Sequence, residues 1–195
     1  MIHNQNKIKY IDIKKINTLI PKKFQSNINL LTNKDIPQNP KNLDEILLYN
    51  IASKKESDIQ QYFHKEFNNF ANFIETKTKG LSKLIFQQID NGDSAGGNLS
   101  QLQRMKLYKR KKAEGSNAGF LDFMIIYYTN KLNYNNTMFC EVKKIGSPSE
   151  IRLTEKQLEW FIKLNEMGFD SFITNNPIFF RDKILKKLEN FFLDD

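Results

Sequence analysis

Cysteine is almost absent from this 195-residue chain: Cys140 stands alone, which excludes an internal disulfide and any zinc cage built on thiolates. It reads as a small core residue. Histidine is nearly as scarce, with only His3 and His64, so neither a histidine metal centre nor a Ser-His-Asp triad is supported. His64, inside a helical pattern, reads as structural. No apolar run approaches the roughly 20 residues needed to cross a bilayer, and Met1 to Lys7 lack a signal-peptide core. The expectation is a soluble, intracellular, cytoplasmic protein with no membrane association. Repeats and low-complexity tracts are also missing, apart from a bias to Asn. Negative charge is outnumbered, 22 Asp and Glu against 30 Lys and Arg, leaving a formal charge of +8. That balance favours a polyanionic partner, for which nucleic acid is the commonest candidate and acidic lipid the rival.

What is present suits one compact α/β domain with a real core: 39% hydrophobic and 12% aromatic residues. Residues 1–52 are rich in Asn and Lys and are interrupted by Pro21, Pro37 and Pro40. They read as an N-terminal extension that could dimerise, bind DNA or cover a face of the domain formed by residues 53–195. Within them, Lys7 to Ile16 alternates as a short strand, and Leu43 to Ala52 reads as a short helix after Pro40. A longer helix is expected from Ser53, whose spacing to Glu56 makes a capping box, with Ile59, Tyr62, Phe63, Phe67, Phe70 and Ile74 as its core stripe. Lys83 to Ile89 reads as a strand and Asp90 to Gly97 as a loop. Leu99 to Glu114 is a basic helical pattern carrying Arg104, Lys106, Lys109, Arg110, Lys111 and Lys112. These side chains are either phosphate contacts or a solvated face. After a Gly146 to Ser149 turn, Thr154 opens a helix that presents Leu158, Phe161, Ile162 and Leu164 to the core and is capped by Gly168. A strand over Phe169 to Thr174 and a last helix over Ile178 to Phe192 follow.

Three charged residues lie on otherwise apolar, strand-like segments: Asp122 before Phe123 to Ile126, and Glu141 and Lys143 after Phe139. Residues two apart in a strand share a face, so Glu141 and Lys143 project together while Val142 points the other way. The turn-rich stretch Asn130 to Asn136 folds the two segments into an antiparallel hairpin, which brings Asp122 roughly opposite Glu141 and Lys143. Two carboxylates in a largely buried patch can both ionise only if cations sit between them, and a divalent metal with Lys143 would meet that need. A structural ion pair between Lys143 and one carboxylate is the plainer alternative. Two other acidic-x-Lys triplets, Glu75 to Lys77 and Asp12 to Lys14, lack such a setting: the first ends a helix and the second, though strand-like, has no acidic partner on a preceding strand.

These pieces together resemble a VRR-NUC nuclease: Glu56 on an N-terminal helix, Lys112-x-x-Gly115-x-x-x-Gly119-x-x-Asp122, Glu141-Val-Lys143, and Leu153-Thr-x-x-Gln157 leading to Leu164-x-x-x-Gly168. The likeness spans about residues 53–175. Leu121 departs from it, standing where that family usually has proline. VRR-NUC domains belong to the PD-(D/E)XK superfamily, so the resemblance implies an α/β, restriction-endonuclease-like core with a mixed central β-sheet flanked by helices. It further implies Mg2+ or Mn2+ held by Asp122, Glu141 and the Val142 backbone carbonyl, with Glu56 serving a second ion or its water. Lys143 would act on the nucleophile and the developing charge. Gln157, which also forms a capping box with Thr154, would touch the active centre. Lys144 and Lys156 join Arg104 and Lys109 to Lys112 as candidate nucleic-acid contacts. The expected activity is structure-selective DNA endonuclease cleavage, since the family includes enzymes acting on flaps and four-way junctions. Small stand-alone members resemble phage-like Holliday junction resolvases, which would suit a homodimer on branched DNA. RNA remains open as a substrate. Two other readings stay open: a nucleic-acid-binding protein that does not cut, and a nuclease toxin acting on host DNA.

Overall fold

The computed structural model describes residues 10–89, 120–129 and 134–193. The basic stretch Leu99 to Glu114, with Arg104, Lys106, Lys109, Arg110, Lys111 and Lys112, and the glycines Gly115 and Gly119 lie outside the described residues, as does the loop from Asp90 to Gly97.

A five-stranded mixed sheet organises the chain. Its strands are β2 (Ile28–Asn29), β3 (Ser82–Gln88), β4 (Phe123–Thr129), β5 (Tyr134–Val142) and β7 (Asp170–Thr174), in the spatial order β2-β7-β5-β4-β3. β3, β4 and β5 form an antiparallel meander; β7 then pairs parallel to β5, and β2 parallel to β7. The parallel step is made by a crossover through β6 (Arg152–Thr154) and α4 (Glu155–Glu166), as parallel pairing requires. β6 pairs antiparallel with β1 (Tyr10–Asp12) in a separate two-stranded sheet.

Helices cover both faces. On one lie α2 (Leu43–Ala52), α3 (Glu56–Lys77) and the C-terminal segment: α5 (Pro177–Phe179), a π-helical stretch (Phe180–Leu185) and α6 (Lys186–Leu193). Ile59, Phe63, Phe67 and Ile74 of α3 recur at helical spacing and are buried against Phe123, Ile125, Met138, Cys140, Val142 and Phe172 of the sheet. Phe63 stacks on Phe180, centroids 4.4 Å apart. On the other face, α4 inserts Leu158 and Phe161 among Leu153 and Ile173, where α1 (Ile13–Leu19) and a 3-10 turn (Lys22–Asn27) add Ile16 and Phe24. Tyr62, Phe70 and Ile162 complete these stripes as partly buried residues. Among the described residues, no helix is long and apolar enough to cross a membrane.

Several expectations are corrected. Residues 10–52 are not held apart as an extension: β2 is an edge strand of the main sheet, and Ile16, Ile20, Phe24, Ile36 and Ile51 are buried in the same cores as the rest. The strand expected from Lys7 to Ile16 ends at Asp12, because α1 starts at Ile13 and takes the end of the Asp12 to Lys14 triplet with it; Lys7 to Lys9 lie outside the described residues. Ser53 terminates α2 instead of opening α3. The N-cap of α3 is Lys55, whose N–H donates to the Asp58 carboxylate at 3.2 Å, so Glu56 is released from capping. Asn135 and Asn136 belong to β5, leaving a shorter connection than the turn expected over Asn130 to Asn136. The last helix starts at Pro177 and is interrupted by the π stretch. At the end of α4, Gly168 has φ +87°, a left-handed conformation suited to glycine, and the next N–H, that of Phe169, returns to Leu164 O at 2.9 Å.

Candidate functional site

β4 and β5 pair with Phe123 opposite Cys140. One step back along that ladder, at the mouth of the hairpin, Asp122 meets Glu141. The Asp122 carbonyl accepts from Ile89 N–H at 2.7 Å, anchoring it to the end of β3, and its carboxylate accepts from Val142 N–H at 2.8 Å. β5 alternates as expected: Cys140 and Val142 face the α3 core, while Glu141 and Lys143 turn to the other side. There the first turn of α4 receives them. Gln157, buried, donates its side-chain N–H to Glu141 Oε1 at 2.5 Å, and Lys143 Nζ lies 2.5 Å from the same oxygen.

Gln157 makes two sets of contacts at once. Its side-chain oxygen accepts from Thr154 N–H at 2.9 Å while Thr154 Oγ1 accepts from Gln157 N–H at 3.1 Å, completing the capping box. Its amide NH2 remains for Glu141. Because a primary amide has separate donor and acceptor ends, one side chain starts the helix and fixes the carboxylate.

Glu56 approaches from α3. Its Oε2 accepts from Lys144 N–H at 3.2 Å, and its Oε1 lies 3.6 Å from Lys143 Nζ. One turn along the same helix face, Gln60 lies near the Asp122 carboxylate and favours its charged form. Sequence reasoning missed Gln60, although its spacing of four from Glu56 places the two on one helical face and was a usable signal.

Asp122, Glu141, Lys143, Gln157 and Glu56 are thus brought together, with the Val142 backbone between the acidic residue and the lysine. Lys144 is half-buried, with Nζ 3.6 Å from Glu150 Oε1, and Lys156 is exposed in the first turn of α4 next to Gln157. The candidate contacts Arg104, Lys109, Arg110, Lys111 and Lys112 fall outside the described residues.

Glu141 is fully buried, and its Oε2 has no hydrogen-bond partner. Burial drives its carboxyl well above the usual range and the Asp122 charge adds to that, against the pull of Lys143. Asp122 is pushed up to about 6, again chiefly by burial, with Lys143 and the Val142 N–H opposing. For Lys143, burial works against the charged form, but Glu141, Glu56 and Asp122 outweigh it and hold the ammonium above its ordinary value. One fixed cation therefore faces two carboxyls that are reluctant to ionise, and a buried carboxylate oxygen without a partner calls for a proton or a further cation. Among the described residues, no group of three or more His, Cys, Asp or Glu side chains gathers as a metal site. The donors available to a cation here are Asp122 and Glu141 with main-chain oxygen, an all-oxygen set that fits a hard ion such as Mg2+ better than zinc. Compared with known proteins, the chain has no significant match to any family model, curated protein or solved structure.

Proposed function

We propose that this chain is a divalent-metal-dependent DNA endonuclease with a restriction-endonuclease-like core of the VRR-NUC type, selective for branched DNA such as a four-way junction. The carrying observation is Glu141: a fully buried carboxyl with one oxygen unpartnered, opposite Asp122 and on the same strand face as a buried, protonated Lys143. A purely structural ion pair would leave neither the second carboxyl nor the empty lone pairs in so costly a position. The helix-meander-crossover-strand order and the bound positions of Gln157 and Glu56 support the same reading.

Asp122, Glu141 and the Val142 carbonyl would hold Mg2+ or Mn2+. When bound, such an ion lowers the pKa of a water and offsets charge on the scissile phosphate. The side chains supply the rest. Lys143, kept protonated by its carboxylate neighbours, orients the nucleophile and stabilises negative charge as it develops on the phosphate oxygens. Gln157 holds Glu141 in one rotamer, and the Val142 N–H holds Asp122. Glu56 steadies Lys143 and Lys144. The excess of positive charge draws the phosphate backbone, with Lys144 and Lys156 as described contacts beside the site.

The test is cleavage of four-way junction, flap, single-stranded and linear duplex DNA, with RNA in parallel, in Mg2+ or Mn2+. Junction DNA should be cut fastest, and Asp122→Ala and Lys143→Ala should each abolish cutting while binding persists. Equal rates on branched and linear DNA would remove the substrate claim, and full activity in either variant would remove the mechanism. The contact of Lys143 with Glu141 at 2.5 Å favours one second reading, a nucleic-acid-binding protein with a structural ion pair; it predicts DNA binding with no cleavage under any metal.

A further inference from the structure

β5 ends at Val142, yet the two residues after it carry much of the site: Lys143 with its ammonium, and Lys144 with the N–H that holds Glu56. What fixes this outgoing backbone is a side chain from elsewhere. Lys143 N–H still reaches Thr174 O of β7 at 3.1 Å. Beyond that point, Asn175 replaces the ladder. It is fully buried, and its side-chain amide donates to Lys144 O at 3.0 Å and to Leu31 O at 2.9 Å, while its Oδ1 accepts from Leu31 N–H at 2.7 Å. A side-chain amide presents the same donor and acceptor pair as a peptide unit. Asn175 therefore acts as an inserted piece of strand between residue 31 and residue 144. Just beyond, the backbones meet directly, with Thr32 bridging Gly146 and Asn33 N–H donating to Gly146 O at 3.0 Å.

We infer that Asn175 is a positioning residue of the candidate active site: by clamping Lys144 O it aims the Lys144 N–H at Glu56 and sets the height of Lys143. The inference rests on the proposed function for its kinetic half and on geometry alone for its structural half. It also makes the Leu31 segment, distant in sequence from every acidic residue of the site, a working part of it.

Asn175→Ala leaves the carbonyls of Leu31 and Lys144 without their donor. Measured well below the melting midpoint, kcat for junction cleavage should fall about tenfold to a hundredfold, the usual cost of a misplaced reacting group, with KM little changed. The decisive comparison is a double-mutant cycle with Glu56→Ala. If Asn175 acts through the Lys144 to Glu56 bond, the double variant is no slower than Glu56→Ala alone; additive losses overturn the inference. Independently of activity, the Lys144 amide resonance and its hydrogen exchange should change in Asn175→Ala as they do in Glu56→Ala. An unmoved Lys144 amide also overturns it. Should Asn175→Ala fail to fold, Asn175→Ser, which keeps one donor and one acceptor, carries the same measurements. Asp122→Ala separates the two claims: if that variant still cuts, the proposed function falls, and the Asn175 inference is decided by the Lys144 amide.

Discussion

Asp122 and Glu141 make the native state sensitive to pH through burial. Asp122 titrates near 6 in the folded protein against an ordinary value of 3.8, so the native state binds its proton more tightly than the unfolded chain does. Its contribution to stability is complete below the unfolded value and is lost as pH rises through about 6. Lys143, held above its ordinary value of 10.5, stays protonated in both states between pH 5 and 8 and adds no slope there. Metal-free protein should accordingly resist urea better at pH 5 than at pH 7.5. Asp122→Asn, which keeps an acceptor for Val142 N–H, should narrow that difference to the part that Glu141 contributes and stabilise the pH 7.5 form by about 2 kcal/mol. Identical urea midpoints for the wild type at the two pH values would contradict this. A cation should relieve the same strain. Mn2+ at ten times its dissociation constant should add about 1.4 kcal/mol, a rise of about 3 to 6 °C in melting temperature for a domain of this size. The rise should vanish in Glu141→Gln and in Asp122→Asn, and its survival in both would place the ion elsewhere.

At the scale of elements, α4 joins folding to the site through one residue, and substitutions can separate the two jobs. Gln157→Glu still accepts from Thr154 N–H, so the helix cap persists, but it sets a third carboxyl against the buried Glu141. Its melting temperature should match the wild type near pH 5 and fall behind it as pH rises to 8, with cleavage reduced at least tenfold, roughly the scale of losing a fixed electrostatic contact. Thr154→Ala should instead cost about 1 kcal/mol at both pH values, as loss of a cap does; circular dichroism melts at pH 5 and 8 distinguish the cases. The elements carrying Glu141, Lys143 and Gln157 were legible in sequence because strand alternation and capping spacing are local signals, and α3 was legible through its period of aromatic residues. The start of α3 was not, since Ser53 to Glu56 and Lys55 to Asp58 offer competing cap pairs offset by two residues and only packing chooses between them. Asn175 escaped notice for a related reason: beside Asn176 and Pro177 it reads as a turn former, and its buried role depends on Leu31 and Lys144, both far away in the chain. The π stretch at Phe180 has no local signature; its stacking on Phe63 is a tertiary fact.

For the whole molecule, the decisive feature is that residues 10–41 are built into the same body as the site. β2 supplies an edge to the main sheet beside β7, Phe24 and Ile16 cover Ile173 and Leu153, and Leu31 pairs with the Asn175 amide. A composition rich in Asn and Lys hid this, because two- and three-residue strands and 3-10 turns carry little periodicity. Deleting residues 1–42 would therefore uncover Ile173, Phe161 and Leu158, strip the edge from β7, and leave the buried Asn175 Oδ1 unmatched and its NH2 with Lys144 O alone. Each buried large apolar side chain exposed costs about 1.5 to 3 kcal/mol, and native stability is only about 5 to 15 kcal/mol in total. The loss of several such contacts consumes most of that margin. Fragment 43–195 is expected to lack a cooperative melting transition and to be rapidly degraded by trypsin. A folded, cleavage-competent fragment 43–195 would show instead that the N-terminal region decorates a self-sufficient core, and it would withdraw Leu31 from any part in holding Lys144.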